Sequence, residues 1–159
     1  MSGKQQLLLD IIRDDVGQIL EEPRGSNWGI AVKGILATVG ITFPAPWCAA
    51  YVCDRLKKAG IDGPRTGWSP SIAEWYRARD KLQIGGEPEP GWIFHIFYHN
   101  LRRIGHVGFV ENYDFKGKLV TTIEANTNLD GSREGYGVFR RFRPLGSIRS
   151  FGKAVTACD

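Results

Sequence analysis

The chain changes character after Asp80, and this change restricts the folds it can adopt. Before Asp80, apolar residues recur at the spacing of helices. After it come short segments rich in aromatic and β-branched residues, divided by turn signals: "GWIFHIFYH", "HVGFVENY", "KLVTTIEA" and "GVFRRFR". Helices first and strands second predict an α+β domain, with N-terminal helices packed on a small antiparallel sheet.

Four helices are predicted ahead of the strands. Glycines and prolines divide the periodic segments and indicate where each helix begins or ends. In the last of them Ser69 is expected to cap the helix and Pro70 to occupy its first position. The predicted helices cover residues 4–20, 26–40, 48–60 and a segment starting at 69.

The 159 residues show no internal repeat and no linker, so a single domain over 1–159 is expected. No segment approaches the roughly 20 apolar residues that span a bilayer. In the N-terminal "LLLDIIRDDVGQIL", Asp10 and Arg13 interrupt any apolar core of a signal peptide. We therefore expect synthesis in the cytoplasm without a signal peptide, no membrane partner, and action elsewhere only after release or injection.

The net charge is +4 and basic residues gather near the C-terminus. Such a group is either a solvated face or a surface that attracts an anionic polymer such as bacterial cell wall. Nucleic-acid binding would rest on net charge alone and is not expected. The basic residues are Arg133, Arg140, Arg141, Arg143, Arg149 and Lys153.

The three cysteines are an odd number in a chain without an export signal, which favours free thiols. Cys48 and Cys53 lie five residues apart on one predicted helix. Helix geometry puts their Cα atoms about 9 Å apart, too far for a disulfide bond. The cysteine and histidine spacings match no usual zinc pattern, so neither a metal nor another cofactor is predicted.

The stretch "PWCAAYVC" places Cys48 at the start of a predicted helix. Unpaired N–H groups and the helix dipole favour a thiolate there. Ala49 leaves room for a substrate backbone to approach, and Trp47 is expected to form a wall of the groove. The alternative is that Cys48 is a small buried apolar residue, as most free cysteines are.

A thiolate nucleophile needs a base, and His106 is the best placed of the three histidines. It follows Gly105 at the expected mouth of a strand, whereas His95 and His99 are expected to be core or surface residues. In "TIEANT", Glu124 and Asn126 are two apart and would point to the same side of a strand. The carboxylate would orient the ring of His106, and the amide would brace the ring or bind an oxyanion.

These segments resemble the CHAP domain, a cysteine- and histidine-dependent amidohydrolase/peptidase family with a papain-like core. "PWCAAYV" resembles its nucleophile stretch, "GHVGFV" its histidine strand, and "IEANT" its acid and amide positions. The resemblance implies Cys48 as nucleophile, His106 as general base and acid, Glu124 as third member and Asn126 as an auxiliary residue. Trp47, Ala49 and Gly105 would contact substrate.

Members of this family typically cut peptidoglycan, at the muramoyl–alanine amide or within the stem or cross-bridge peptide. The resemblance therefore implies a peptidoglycan hydrolase acting on stem peptides or a muramoyl peptide, without metal or cofactor. The chain departs from many members at Gly91-Trp92, where they carry Gly-Asp. A phage lysin and an injected antibacterial effector both fit, and an effector would have an immunity protein as partner.

Two other functions stay open at this point. The same cysteine, histidine and carboxylate set would serve an acyltransferase or a deamidase acting on another amide. Alternatively, the groove would hold wall peptides without cutting them.

Overall fold

The computed structural model describes residues 1–127 and 135–156. Within these residues four α-helices come first and six strands follow, so the prediction of an α+β fold is confirmed. The helices are α1 (Gly3–Asp15), α2 (Ile30–Ala37), α3 (Cys48–Lys58) and α4 (Ser69–Arg77). The strands are β1 (Leu82–Gln83), β2 (Ile93–Tyr98), β3 (Arg103–Asp114), β4 (Leu119–Thr127), β5 (Gly137–Pro144) and β6 (Ser150–Gly152). A short 3₁₀ turn over Leu145–Ser147 joins the last two strands.

The strands form one antiparallel sheet in the order β1-β6-β2-β3-β4-β5. Strands β3, β4 and β5 follow one another in sequence and also lie side by side, with β5 at the edge of the sheet. Phe109 pairs with Ile123 across β3 and β4, and Glu124 pairs with Phe139 across β4 and β5. Side chains from three chain segments therefore reach one another across about 10 Å of sheet.

Three helix boundaries differ from the sequence prediction, each for a local reason. The first helix ends at Asp15, because Gly17 has φ 72° and its N–H donates to the carbonyl of Val138 instead of continuing the helix. The second starts only at Ile30, because Ser26 and Asn27 bond within the preceding loop. The fourth starts at Ser69 itself, with Trp68 as N-cap and Pro70 as second residue.

Helices α3 and α4 both pack against β3, and the core lies between them and the sheet. Trp47, Tyr51 and Phe109 are completely buried there. Their rings meet edge to face, with centroids 6.4 Å apart for the first pair and 5.9 Å apart for the second. Burying a side chain of this size contributes about 2–3 kcal/mol, so this aromatic row fixes α3 firmly on β3.

Polar contacts fix the far side of α3. Arg55 and the hydroxyl of Tyr51 both bind the carboxylate of Asp15, at 2.6 and 2.8 Å, where α1 ends. Helix α3 is thus held at its N-terminal end by aromatic packing and along its length by α1. Among the described residues, no helix has both the length and the apolar character needed to cross a bilayer.

Candidate active site

Cys48 is the first residue of α3, as the sequence predicted, and is 5% exposed. Its position gives it the unpaired N–H groups and the positive dipole end of that helix. The neighbouring Ala49 and Ala50 are buried, and such small side chains let the start of α3 lie close to β3. The thiol is therefore fixed at the edge of the core and faces the sheet.

His106 lies on β3 and Glu124 on the adjacent strand β4. The ring nitrogen Nε2 of His106 is 2.8 Å from Oε2 of Glu124, and both side chains are nearly inaccessible to solvent. Because Nε2 is taken by the carboxylate, Nδ1 is the nitrogen left for the thiol. The strand that carries His106 begins three residues earlier than the sequence indicated, so the residue lies within β3 and not at its mouth.

Two further residues bind the carboxylate of Glu124. The guanidinium of Arg143 on β5 donates to both oxygens, at 2.5 and 2.7 Å. The hydroxyl of Thr122 donates to Oε1 at 2.6 Å. Glu124 is completely buried, and a buried carboxylate needs such partners to stay ionised. A row of alternating charge thus runs from β5 through β4 to β3.

The pKa values follow from this row. Burial raises the pKa of the Cys48 thiol, but hydrogen bonding to His106, its positive charge and the Ser69 hydroxyl outweigh burial and leave that pKa lowered. Burial lowers the pKa of His106, but Cys48 and Glu124 raise it to about 9. Burial also raises the pKa of Glu124, and Arg143 and His106 reverse that effect and hold it well below its usual value. Near neutral pH these directions favour a thiolate and an imidazolium side by side.

A cleft of about 340 Å³ opens beside these residues. Cys48 and His106 line it together with Gly105, and Ser69 contributes a hydroxyl 3.5 Å from the sulfur of Cys48. Other groups in its lining are Glu21, Asn27, Ile41, Trp68, Arg103 and Asn126. The reacting groups are therefore nearly buried but open on one side to a space that holds a peptide-sized ligand.

Two of the predicted substrate contacts are wrong. Trp47 is completely buried, and its indole N–H donates to Oε1 of Glu21 at 2.9 Å. Ala49 is 1% exposed, since it faces the core. Neither residue lines the cleft, whereas Gly105 does. The exposed tryptophan at the cleft is Trp68, which is 51% exposed.

Asn126 reaches the cleft by a route that strand periodicity did not predict. Its φ is 55°, and the pairing of β4 with β5 shifts by one residue between Glu124 and Thr127. Because of this bulge, Glu124 lies behind the ring of His106 while Asn126 lines the cleft itself. The oxygen Oδ1 of Asn126 is buried and has no hydrogen-bond partner among the described residues, so this oxygen does not brace the ring.

The other two histidines are where the sequence placed them. His95 is completely buried with Nδ1 3.0 Å from the hydroxyl of Ser150, and His99 is exposed. Gly108 on β3 makes room for the ring of Phe94, which lies 2.7 Å from where a Cβ of residue 108 would stand. Phe94 in turn packs against the ring of His106, with centroids 5.9 Å apart.

Sequence reasoning missed Ser69, Thr122, Arg143 and Glu21. Thr122 had a detectable signal, because it is two residues from Glu124 on the same strand and so shares its face. Ser69 was interpreted as a helix cap and Arg143 as part of the basic group. Arg143 and Arg140 instead neutralise Glu124 and Glu111. Arg133 of the basic group and the third cysteine, Cys158, lie outside the described residues.

Comparison with known proteins fits this geometry. The sequence profile of the CHAP domain matches residues 40–126, more than half of the chain. The chain belongs to the CHAP domain family. The CHAP match begins shortly before Cys48 and ends at Asn126, so it contains every residue predicted to be catalytic. No curated protein sequence matches the chain.

The match to solved structures of similar fold covers more of this chain than the CHAP segment does. Ly7917 is 19% identical with a TM-score of 0.51, and the match covers 92% of this chain and 60% of Ly7917. For the crystal structure of Ly7917 with the hydrolyzing product of MDP, the identity is 16% and the TM-score 0.53. That match covers 92% of this chain and 61% of Ly7917. The N-acetylmuramoyl-L-alanine amidase from Staphylococcus aureus is 19% identical with a TM-score of 0.52. That match covers 73% of this chain and 32% of the amidase. The chain thus spans about 60% of the length of Ly7917 and shares its papain-like fold.

Proposed function

We propose that this CHAP domain is a cysteine-dependent peptidoglycan hydrolase, an amidase or endopeptidase that cleaves amide bonds of cell-wall peptides through a thioester. The observation that carries the proposal is the row Cys48–His106–Glu124, assembled from one helix and two strands at a cleft. The thiol lies at a helix start and has its pKa lowered, which are the conditions of a nucleophilic cysteine.

The chemistry follows from the protonation states of the pair. The thiolate of Cys48 attacks the amide carbon, and the carbonyl electron pair moves to oxygen. The backbone N–H of Cys48, unpaired at the helix start, stabilises that oxyanion. The C–N bond then breaks, and the imidazolium of His106 gives its proton to the leaving amine. Neutral His106 next takes a proton from water, which hydrolyses the thioester and frees the thiolate.

Glu124 acts through His106. Its carboxylate fixes the ring with Nδ1 toward the sulfur and stabilises the imidazolium that the thiolate requires. Arg143 and Thr122 keep this carboxylate ionised and in place although it is buried. Asn126 lines the cleft, where its side-chain amide is placed to hydrogen-bond a peptide group of the substrate.

The cleft carries opposite charges on different sides. Glu21, whose backbone N–H bonds to Tyr136 just before β5, contributes a carboxylate. Arg103 begins β3, two strands away, with its guanidinium 4.1 Å above the ring of Trp68 and no ion-pair partner among the described residues. Both oxygens of Glu21 already accept hydrogen bonds within the protein, from the indole of Trp47 and the backbone N–H of Asn27. Arg103 is thus the group that suits a carboxylate of the substrate, such as wall stem peptides carry. Ly7917, which shares the fold, was crystallised with the hydrolyzing product of MDP, in keeping with a muramoyl-peptide substrate.

The reaction takes place at the cell wall or in the periplasm, after release from the cytoplasm or injection into a target. An immunity protein accompanies the chain if it is an injected effector. Both statements rest on the proposed substrate, which lies outside the cytoplasm.

Mass spectrometry of purified peptidoglycan tests the proposal. Digestion with wild type in water enriched in heavy oxygen should release muropeptides that carry one heavy oxygen at the new carboxylate. The position of that carboxylate separates an amidase from an endopeptidase. A transferase would instead join the acyl group to an added amine, and a binding module would release nothing.

Two cysteine variants complete the test. Cys48→Ala should release no product and keep the fold, because alanine suits a helix start and fits the space of the thiol. Cys53→Ala is the matched control on the same helix, since Cys53 donates only to the carbonyl of Thr66, and it should retain activity. Undiminished release of muropeptides by Cys48→Ala would refute the proposal.

A further inference from the structure

Ser69 is buried, and its hydroxyl does not cap the helix to which it belongs. It is the first residue of α4, where Trp68 is the N-cap and makes no side-chain capping bond. Ser69 itself is 6% exposed, lines the cleft, and places its hydroxyl 3.5 Å from the sulfur of Cys48. A buried hydroxyl directed at a reacting atom, and free of a capping role, is available for chemistry.

Two helix starts therefore meet at the same end of the cleft. Cys48 is the first residue of α3 and Ser69 the first residue of α4, and both helices pack on β3. Cys48 brings a backbone N–H as the first donor for an oxyanion. A second donor is needed, because a tetrahedral oxygen at such a site is commonly held by a pair of hydrogen bonds.

We propose that the hydroxyl of Ser69 is the second oxyanion donor. The inference deepens the proposed function, because it requires acyl transfer through Cys48. In the free protein the hydroxyl donates to the thiolate. When the sulfur–carbon bond forms, the negative charge moves from sulfur to the carbonyl oxygen, which is bonded to the same carbon as the sulfur. A hydroxyl group rotates freely about its C–O bond and follows the charge. When the oxygen reforms its double bond, the C–N bond breaks and the amine leaves with the proton of His106.

The distance supports this role. At 3.5 Å the hydroxyl is within ordinary hydrogen-bonding reach of the sulfur, and therefore also close to a carbonyl group that becomes bonded to that sulfur. Its burial excludes water, which strengthens a hydrogen bond to a developing charge. A donor that served only to ionise the thiol would stabilise the ground state, whereas this donor acts mainly on the tetrahedral intermediate.

Two small probes of Cys48 separate these roles. Iodoacetamide alkylates the sulfur by displacing iodide and forms no oxyanion. p-Nitrophenyl acetate acylates the sulfur through a tetrahedral oxyanion and releases nitrophenolate, which is read by absorbance. Ser69→Ala, measured on the pH plateau where the thiol is ionised, should be alkylated at a rate within about twofold of wild type. Its acylation should be slower by about a hundredfold, the usual loss for one oxyanion donor.

Matched variants keep the result interpretable. Ser69→Thr retains the hydroxyl and should recover most of the acylation rate. Ser71→Ala removes a hydroxyl from the same helix two residues further on, outside the cleft lining, and should behave as wild type. An unchanged melting temperature of Ser69→Ala shows that the fold is intact.

Equal losses in both reactions would overturn the proposal, because they would show that Ser69 only stabilises the thiolate. No loss in either reaction would overturn it as well. The probes need no natural substrate, so an absence of muropeptide products would count against the proposed function and not against Ser69. A wild type that is alkylated but never acylated would refute the acyl-transfer chemistry itself, and Ser69 with it.

Discussion

Replacing Arg143 by methionine should destabilise the protein far more than a surface arginine would. The guanidinium donates to both oxygens of Glu124, whose side chain is completely buried. Removing one partner of a buried ion pair costs about 3–5 kcal/mol, because the other charge stays buried without compensation. The side chain of Arg143 is 17% exposed, and His106 and Thr122 still bind the carboxylate. We therefore expect the lower end, about 3 kcal/mol.

Urea unfolding measures this loss, and thermal unfolding should show a melting temperature lower by roughly 6–12 °C for a chain of this size. Arg140→Met is the matched control on the same strand. Arg140 is 39% exposed, and its partner Glu111 keeps Arg13, so the expected loss is about 1 kcal/mol or less.

A double-mutant cycle shows whether the loss belongs to the ion pair. Glu124→Gln removes the carboxylate charge, so Arg143→Met should cost less in that background than in wild type, by about 1 kcal/mol or more. Equal losses from Arg143→Met and Arg140→Met, or strict additivity in the cycle, would refute the reasoning that Glu124 depends on Arg143.

Iodoacetamide should label Cys48 well below pH 8 and much faster than Cys53, because burial raises the pKa of Cys53 to about 11 while His106 leaves that of Cys48 lowered. His106→Ala should lose more hydrolytic activity than Glu124→Gln, because the carboxylate acts only through the ring; rates on peptidoglycan compare them. Burial lowers the pKa of His95 to about 4, so the native state holds it neutral while the unfolded chain takes up a proton below pH 6.5. Stability should therefore fall by about 2–3 kcal/mol between pH 6.5 and 4.5, and His95→Leu should lessen the slope in urea titrations.

Each of these predictions has a result that would contradict it. Equal labelling rates for both thiols would show that Cys48 is an ordinary buried cysteine. A greater loss from Glu124→Gln would reverse the roles assigned to the carboxylate and the ring. An unchanged pH slope in His95→Leu would mean that another group takes up the proton. His106 does not interfere in that window, because its pKa is raised to about 9 and its stabilising effect is lost only as the pH rises toward that value.

Local patterns predicted the parts of the site that local geometry determines. Cys48 was recognisable from a helix start, and Glu124 from its place in a predicted strand, two residues before Asn126. The fold class followed from the change of pattern after Asp80, and the CHAP resemblance linked residues that lie far apart in sequence. These are features that a short window of sequence contains.

Contacts between distant segments were not predictable in this way. Arg143 lies 19 residues after Glu124, and only the pairing of β4 with β5 brings them together. Ser69 carries the usual signal of a helix cap, and its true neighbour depends on how α3 and α4 pack. Trp47 was expected at the surface of the groove, but the buried carboxylate of Glu21 holds its indole inside. The position of Asn126 depends on a bulge that the residue types in "IEANT" do not predict.

The charged row from Arg143 to Cys48 crosses three strands, and each strand contributes one member or its support. A shift of one residue in the pairing of β5 with β4 would turn Arg143, like every other side chain of β5, to the opposite face of the sheet, while the other five strands of the described sheet kept their pairing. Chemistry at the thiol is thus more sensitive to strand alignment than the bulk of the fold is. A misaligned molecule would look folded by its content of strand and helix and still be inert, and thiol reactivity would reveal it.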